Sequence, residues 1–412
     1  MKETDFYAAI LGVSKPWAVD AVDLALDKGE VVVTVSTSEV RCPECDRKCS
    51  RHDSRTRRWR HLDTCQYRTI LAADVPRANC PEHGVHQIRV PWSEPGSKFT
   101  LLFEAMVILW LQDASVNAVA QRFGMAWSTV NDIMKAAVVR GLERRSAVHP
   151  TRICVDETSF QKRHEYVTVV TDHDDGRVLF VADDRRAASL EGFYETLSEA
   201  QKAAIKSISM DMHAPYVKAT RAHIPDADFR IAFDKFHIAQ KLGDAVNSVR
   251  REENKELRAD GDNRLTGTRF LWITNPRNLT DSEWSDKFER LRESALKTAR
   301  AWALKEGAMG IWHYTSRTWA EKAWEKWLGW AQRSRLKPMI RVAKTVRNHL
   351  WGIVNAVIHG VTNATAEGVN SGIQRLKNRA CGYRSREAYR TAIYFHFGRL
   401  NLMPEGVSGH TN

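Results

Sequence analysis

Between residues 152 and 234, short apolar runs alternate with stretches whose apolar residues recur at helical spacing. The runs have the length and bounding turns of buried strands, and they are Ile153–Val155, Glu165–Thr171, Arg177–Ala182, Ile205–Met210 and Phe229–Phe233. Helices are predicted over Ala188–Ala203 and Ala214–His223. The pattern therefore predicts three antiparallel strands, then a helix, a strand, a helix and a strand, which is the order of a ribonuclease-H-like core.

Earlier in the chain the helical pattern predicts three helices, at Phe99–Gln112, Ser115–Phe123 and Trp127–Gly141. Gly124 supplies the turn before the third helix, as in a helix-turn-helix unit. In that interpretation the recognition helix begins with the candidate DNA-binding residues Ser128, Thr129 and Asn131. The alternative is a purely structural three-helix unit. Weaker patterns predict a helix at Phe6–Leu11 and strands at Val31–Val35 and Tyr67–Leu71.

Residues 235 to 351 have helical patterns and contain nine tryptophans, which we interpret mainly as packing anchors. Six basic residues recur along one predicted helix and form a candidate phosphate-binding stripe, namely Arg333, Arg335, Lys337, Arg341, Lys344 and Arg347. A last helix is predicted from Ala364, with its apolar stripe on Val369, Ile373, Leu376 and Ala380. Glu367 is predicted on the opposite, polar face.

Composition narrows the class of protein. The chain has 412 residues, a formal net charge of +12 and a pI of about 9.4, which favours a polyanionic partner such as nucleic acid. The longest apolar run, Phe103–Leu111, is too short to span a membrane, and the N-terminus has no signal-peptide pattern. Seven cysteines in a chain of this length fit a reducing cytoplasm, with some of them on metal.

Two cysteine-containing pairs predict a zinc site. Cys42 and Cys45 have the same spacing as Cys80 and His83, and together they offer the four ligands of a tetrahedral zinc ion. The fourth ligand stays open, because five further residues compete for it, namely Cys49, His52, His61, Cys65 and His86. Free thiols beside turn prolines are the alternative.

Two basic segments are candidate DNA contacts. The first surrounds Trp59 and comprises Arg55, Arg57, Arg58 and Arg60, a combination that suits phosphate contact and base stacking. The second lies in the last predicted helix and comprises Arg375, Lys377 and Arg379. A solvated basic face is the alternative interpretation of the first segment.

Three of the predicted strands end on aspartates, Asp156, Asp211 and Asp234. Strand ends in an α/β sheet converge on one crevice, and clustered carboxylates repel each other unless a divalent cation joins them. The residues alone do not choose the third metal ligand. Asp234 follows a strand, but it can also cap the next helix and pair with His237 one turn on, whereas Glu367 faces away from an apolar stripe.

These motifs together resemble bacterial insertion-sequence transposases of the DDE class, specifically the ISL3 group. The sequences that carry the resemblance are CPEHG from Cys80, DMHAPY from Asp211, DKFHI from Asp234 and NATAEGVNSGIQRLKNRACGYR near the C-terminus. The resemblance implies that Asp156, Asp211 and Glu367 form the catalytic triad and that Asp234 and His237 form an accessory motif. His83 departs from it, since many relatives have cysteine there.

The predicted fold class is multidomain α+β, with a zinc-ribbon-like module, a helix-turn-helix, and a ribonuclease-H-like α/β core interrupted by an all-helical insertion. The predicted domains are an N-terminal region with the zinc module at 1–96, the helix-turn-helix at 97–148, the first part of the core at 149–240, the insertion at 241–360 and the C-terminal part of the core at 361–412.

The predicted function is that of a DNA transposase that binds the terminal inverted repeats of an insertion sequence. Three carboxylates would hold two Mg²⁺ or Mn²⁺ ions for strand cleavage and strand transfer. The expected partner is double-stranded DNA, from the repeats and the target, with a homodimer in the DNA complex and no membrane. The expected location is the bacterial cytoplasm, at the nucleoid. The alternatives are a non-catalytic zinc-finger regulator derived from a transposase and a metal-dependent nuclease without strand transfer.

Overall fold

The computed structural model describes residues 2–161, 165–275, 278, 282–360 and 364–407. The chain forms two compact units, one made of Met1–Arg145 with Leu400–Asn412 and the other of Ser146–Arg399. In the described ranges, no helix combines the length and the apolar character that crossing a membrane requires.

The first unit begins with a helix and a five-stranded sheet. The elements are α1 (Glu3–Leu11), β1 (Trp17–Ala25), β2 (Glu30–Thr37), β3 (Ser50–Arg60), β4 (Arg68–Cys80) and β5 (Gly84–Gln87). The strand order is β1-β2-β4-β3, with β5 also paired to β4, and only the β2–β4 pair is parallel. Val31, Val33 and Val35 of β2 alternate into the core.

The segment around Trp59 differs from the sequence interpretation. It is an edge strand, β3, and Trp59 is only 1% exposed, with its ring packed edge-on against Trp92 at 5.5 Å between centroids. The prediction that Trp59 stacks on bases is therefore wrong. Side chains alternate across a strand, so one residue of a mostly polar edge strand reaches the inner face of the sheet.

Three helices follow in the same unit, α2 (Leu101–Asp113), α3 (Val116–Phe123) and α4 (Trp127–Glu143). The hydroxyls of Thr100 and Ser115 cap α2 and α3 by accepting backbone N–H groups, and Gly124 has φ +60° where the chain turns into α4. The predicted helix-turn-helix is confirmed, with each of its helices within about two residues of the predicted bounds.

The second unit is built on a mixed sheet. Its strands are β6 (Arg152–Gln161), β7 (Glu165–Asp172), β8 (Val178–Ala182), β9 (Ser207–Met210) and β10 (Ile231–Phe233). The helices between them are α5 (Ala187–Glu195), α6 (Glu199–Ala204), α7 (Ala214–His223) and α8 (Ala227–Arg230). The order is β10-β9-β6-β7-β8, with β6–β7 and β7–β8 antiparallel and β6–β9 and β9–β10 parallel. The predicted ribonuclease-H-like order is confirmed, but the predicted helix Ala188–Ala203 is two helices, α5 and α6, and Phe229 and Arg230 belong to α8 instead of the last strand.

Helices make up the rest of the second unit. They are α9 (Lys235–Ala259), α10 (Arg269–Ile273), α11 (Ser282–Arg292), α12 (Lys297–Ile311), α13 (Arg317–Arg333), α14 (Lys337–Asn348), α15 (Leu350–His359), α16 (Ala364–Arg379) and α17 (Arg386–Phe397). A β-carbon at Gly352 of α15 would lie 2.4 Å from the Phe233 ring, so the helical insertion packs directly on the end of β10. The predicted domain division stays a prediction. Its boundary after residue 240 falls inside α9, and the described residues after Leu400 belong to the first unit.

The structure differs from two predictions about the helical insertion. The basic stripe lies on two helices instead of one, because Arg335 has φ +60° after α13 ends and Pro338 stands in the first turn of α14. Several tryptophans are core anchors as predicted, namely Trp272, Trp302, Trp324 and Trp327, but Trp319 and Trp330 are exposed. The side chain of Trp284 lies outside the described residues.

Candidate functional site

The four predicted zinc ligands lie together at the tips of two turns. Cys42 and Cys45 lie in the turn closed by the Arg41–Lys48 bridge, while Cys80 ends β4 and His83 lies in the turn before β5. All four ligand atoms are within 4.8 Å of one another. The Cys45–Cys80 sulfur distance is 3.8 Å, and His83 Nδ1 is 3.8 Å from Cys42 Sγ and 3.6 Å from Cys80 Sγ.

These distances fit a zinc tetrahedron. Zn–S bonds of about 2.3 Å imply sulfur separations of roughly 3.8 Å. Backbone N–H groups of His83 and Glu82 lower the pKa of Cys80 to about 6, which favours the thiolate that a metal requires. The two turns therefore form a candidate structural zinc site, with three cysteines and one histidine as its ligands.

The residues that compete for the fourth zinc position make other contacts or lie outside the group of four ligands. Burial lowers the pKa of His61 to about 4, and its Nδ1 is hydrogen-bonded to Thr100 Oγ1 at 2.9 Å. Cys49 Sγ donates to the carbonyl of Arg47, and His86 Nε2 lies 2.6 Å from the carbonyl of His83. In the described part of the chain, none of the five competitors belongs to the four-ligand group.

The predicted DNA-binding residues of α4 lie at its start. Ser128 is exposed, and Thr129 and Asn131 are half-buried. Trp127, which the sequence interpretation did not single out, is 50% exposed at the first position of the helix. The sequence could have indicated Trp127, since this residue begins the predicted recognition helix directly after the turn.

The arginines of β3 differ in their contacts. Arg55 is exposed, Arg57 donates to the carbonyl of Ser97, and Arg58 lies 3.5 Å from Glu30. Arg60 donates to Asp63 and to the carbonyl of Phe123, so its guanidinium links the sheet to the helix-turn-helix.

The second predicted site lies on three neighbouring strands of the sheet, β6, β9 and β10. Asp156 lies within β6, and Asp211 and Asp234 directly follow β9 and β10. Val155 is paired with Met210, and Met210 with Phe233, so the three aspartates lie at the same level of the sheet. The sequence predicted that the three aspartates lie together, but the prediction that a strand ends at Asp156 is wrong, because pairing with β7 continues β6 to Gln161.

Asp156 is held by two hydrogen bonds and lies in a largely buried environment. Its Oδ1 accepts from the backbone N–H of Glu157 at 2.7 Å, and its Oδ2 accepts from Asn370 Nδ2 at 2.5 Å. Burial, with help from the charges of Asp211 and Asp234, raises the pKa of Asp156 to about 7. A divalent cation would relieve this accumulation of negative charge, so the donor set suits such an ion.

His237 links the other two aspartates. Its Nε2 lies 2.5 Å from Asp211 Oδ1 and 3.8 Å from Asp234 Oδ2, and the hydrogen bond to Asp211 is the main cause that raises the pKa of His237. Asp234 is 7% exposed, and its Oδ1 accepts from the backbone N–H of Phe236, so it caps α9. Ligand atoms of these three residues lie within 4.8 Å of one another.

Helix α16 packs its polar face along β6. Asn370 bonds to Asp156, Gln374 Nε2 donates to Thr158 Oγ1 at 2.7 Å, and Lys377 Nζ donates to the carbonyl of Ser159 at 2.8 Å. Glu367 is exposed and lies one helical turn before Asn370 on the same face. Among the described residues, Asp234 and not Glu367 belongs to the group of close ligand atoms.

Asn370 was missed by sequence reasoning, although its spacing of three residues from Glu367 was a usable signal. The basic residues of the same helix divide into two sets. Arg375 and Arg379 are exposed, whereas Lys377 faces β6, and burial lowers its pKa.

Comparisons with known families match three parts of the chain. A family model described as a transposase matches residues 153–393, and one for the helix-turn-helix domain of transposase family ISL3 matches residues 88–138. A third, for the zinc-finger of transposase IS204/IS1001/IS1096/IS1165, matches residues 38–83.

Curated relatives cover nearly the whole chain. The transposase for insertion sequence element IS1557 of Mycobacterium tuberculosis is 30% identical over 423 residues, 94% of each chain. The transposase for insertion sequence element IS1001 of Bordetella parapertussis is 27% identical, over 92% of this chain and 95% of the relative. The resemblance drawn from the sequence is confirmed.

Proposed function

Since the chain belongs to the ISL3 family of transposases and is therefore a DNA-binding transposase, we propose that it cuts and joins DNA at the carboxylate cluster of its second unit. The zinc module and the helix-turn-helix would bind the terminal inverted repeats of its element. The observation that carries the proposal is the grouping of Asp211, Asp234 and His237, with Asp156 on the neighbouring strand β6 hydrogen-bonded to Asn370 of α16, the helix that contains Glu367.

We assign the catalytic role to Asp156, Asp211 and Glu367. Two Mg²⁺ or Mn²⁺ ions, when bound, would activate the attacking oxygen and stabilise the leaving one during in-line displacement at phosphorus. In the hydrolytic step water adds to phosphorus and the bond to the 3′ oxygen breaks, which leaves a 3′ hydroxyl. In strand transfer that hydroxyl attacks a phosphorus of the target strand, and the bond from this phosphorus to the target's 3′ oxygen breaks, which leaves a 3′ hydroxyl on the target. Neither step needs a nucleophilic side chain.

Asp234 and His237 have the accessory role. One oxygen of Asp234 is used by the α9 cap, and His237 holds an oxygen of Asp211 at 2.5 Å, so this pair can fix the Asp211 carboxylate in place. Asn370 does the same for Asp156 from α16. The exposed carboxylate of Glu367 has neither constraint among the described contacts, so it is free to turn toward an ion.

Two further features belong to the same proposal. The protein would act as a homodimer on paired element ends, at the nucleoid in the cytoplasm. A nuclease without strand transfer would use the same site, so the assay must look for joined products as well as cut ones.

Cysteine substitution with metal rescue tests the assignment. We expect Asp156→Cys, Asp211→Cys and Glu367→Cys each to abolish cleavage of element ends in Mg²⁺ and to regain part of it in Mn²⁺, which binds a thiolate more readily. Asp234→Cys should lose activity without regaining it in Mn²⁺. Binding to end-containing duplex DNA, measured in parallel, should persist in all four variants. Rescue of Asp234→Cys but not of Glu367→Cys would reverse the roles of these two residues.

A further inference from the structure

One side of α13 combines exposed tryptophans with basic residues. Trp319, Lys322, Lys326, Trp330 and Arg333 follow each other at intervals of three or four residues, so they share one face of the helix, here called the α13 face. All five are exposed, whereas the opposite side of the helix is buried in the core of the insertion.

The two tryptophans of the α13 face are not buried in the core. Trp319 is 62% exposed and Trp330 is 45% exposed, while Trp324 and Trp327 between them are buried. The ring of Trp330 lies against α12, since a β-carbon at Gly307 would come within 3.0 Å of its Cζ3. The Lys322 ammonium lies 5.3 Å from the Trp319 ring centroid. Each ring therefore keeps surface available for contact.

The neighbouring helix extends the positive charge. Lys337, Arg341 and Lys344 are exposed on one side of α14, with Arg347 exposed beside them. In the described part of the chain, no salt bridge involves these four residues or the three basic residues of the α13 face. Glu325 is exposed at the edge of the α13 face, and Glu321 is 3.7 Å from Arg317. The surface thus has a strong excess of positive charge.

The end of α14 and the end of α12 pack against the segment that contains Asp234. The ring of His349, the residue after α14, packs on Phe233 at 5.4 Å between centroids, and Phe233 directly precedes Asp234. Lys235, directly after Asp234, has its ammonium 5.7 Å from the ring of Trp312 at the end of α12. These contacts join the helical insertion to the residues on either side of Asp234.

We propose that the α13 face, with the basic side of α14, binds an unpaired strand of DNA, with bases stacked on Trp319 and Trp330. Aromatic rings interleaved with basic residues bind single strands because every base has a stacking face and every linkage a phosphate. The rings are about 16 Å apart along the helix, at 1.5 Å per residue, which leaves room for several nucleotides. Bases in a duplex are already stacked and cannot reach either ring. The inference rests on the proposed function in one respect, which is that the bound partner is DNA.

Binding to a short fluorescent oligothymidylate tests the inference. The full-length, zinc-containing protein is titrated without added Mg²⁺ or Mn²⁺, so the result does not depend on catalysis. We expect Trp319→Ala with Trp330→Ala to weaken binding by about tenfold or more, and Lys322→Ala with Lys326→Ala to reduce the salt slope by about 1.4. Phe270→Ala is the matched control, because Phe270 is 66% exposed beside Arg269 on α10, outside this surface.

The affinity for duplex element ends should be unchanged in the tryptophan variant. The inference would be overturned if the tryptophan variant bound oligothymidylate with wild-type affinity. It would also be overturned if Phe270→Ala lost as much affinity for oligothymidylate as the tryptophan variant. An equal loss of duplex binding would overturn the preference for an unpaired strand. A changed oligomeric state with unchanged DNA binding would show that a second copy of the chain occupies this surface instead.

Discussion

At the scale of single residues, the contact with most consequence is the one between Asn370 and Asp156. A metal-binding carboxylate works only when its oxygens point in the required direction, and groups that hold it are often as sensitive to mutation as the ligand itself. Asn370 fixes one oxygen of Asp156 and ties α16 to β6 at the same point. It is a positioning residue for the proposed reaction.

We predict that Asn370→Ala raises the Mg²⁺ concentration needed for half-maximal cleavage and slows cleavage by about 10- to 100-fold. Cleavage rates measured across a Mg²⁺ series would check this. Gln374→Ala is the control, because Gln374 makes a similar bond from the same helix to β6, but to Thr158 instead of a carboxylate. If both variants need the same Mg²⁺ concentration as the wild type, Asn370 has only a structural role.

At the scale of elements, the zinc module depends on two turns that share little apolar core. Cys42 and Cys80 are buried, whereas Cys45 and His83 are exposed, and Arg47 lies 3.7 Å from Glu82 across the two turns. An exposed ion pair contributes at most about 1 kcal/mol, but structural zinc contributes on the order of 10 kcal/mol in small fingers. The metal is therefore expected to supply most of the local stability.

We predict that Cys80→Ala removes zinc from the protein and exposes the amides of β4 and β5 to faster hydrogen exchange. Zinc content by atomic absorption and exchange by mass spectrometry would measure this. Cys65→Ala is the control, since Cys65 is an exposed cysteine outside the four-ligand group. Full zinc occupancy in Cys80→Ala would rule out the proposed ligand set.

At the scale of the whole molecule, the two units are not consecutive segments. The chain leaves the first unit near Arg145 and returns to it at Leu400. There Arg140 Nη1 donates to the carbonyl of Leu402 at 2.8 Å, and the Leu402 side chain is buried. Arg140 also contacts Glu104, whose pKa is raised by burial, so the returning segment completes a buried polar network.

We predict that Leu402→Ala lowers the free energy of unfolding of the first unit by about 2–5 kcal/mol, through lost burial and a new cavity. Hydrogen exchange of α4 in the full-length protein would report it. Asn401→Ala is the matched control, because the Asn401 side chain is exposed next to the same contact. Unchanged protection of α4 in Leu402→Ala would mean that the segment does not stabilise this unit.

Local sequence determined much of this protein. The order of strands and helices after Arg152, the caps of α2 and α3 and the two ligand pairs of the zinc site all follow from short-range patterns and spacings. These features arise from interactions between residues that are close in sequence. The interactions are the periodic burial of side chains, hydrogen bonds to the nearest backbone groups and the geometry of turns.

Tertiary structure decided what depends on distant partners. The polar sequence of β3 forms a strand only because β4 pairs with it, and Trp59 is buried because the pleat turns it inward. Asn370 meets Asp156 across 214 residues of chain, and Trp319 and Trp330 differ from Trp324 and Trp327 only in which side of α13 the core covers. Spacing along the sequence can place residues on one face of a helix, but it does not identify what that face will contact, since such contacts arise when separate elements pack and leave some faces in water.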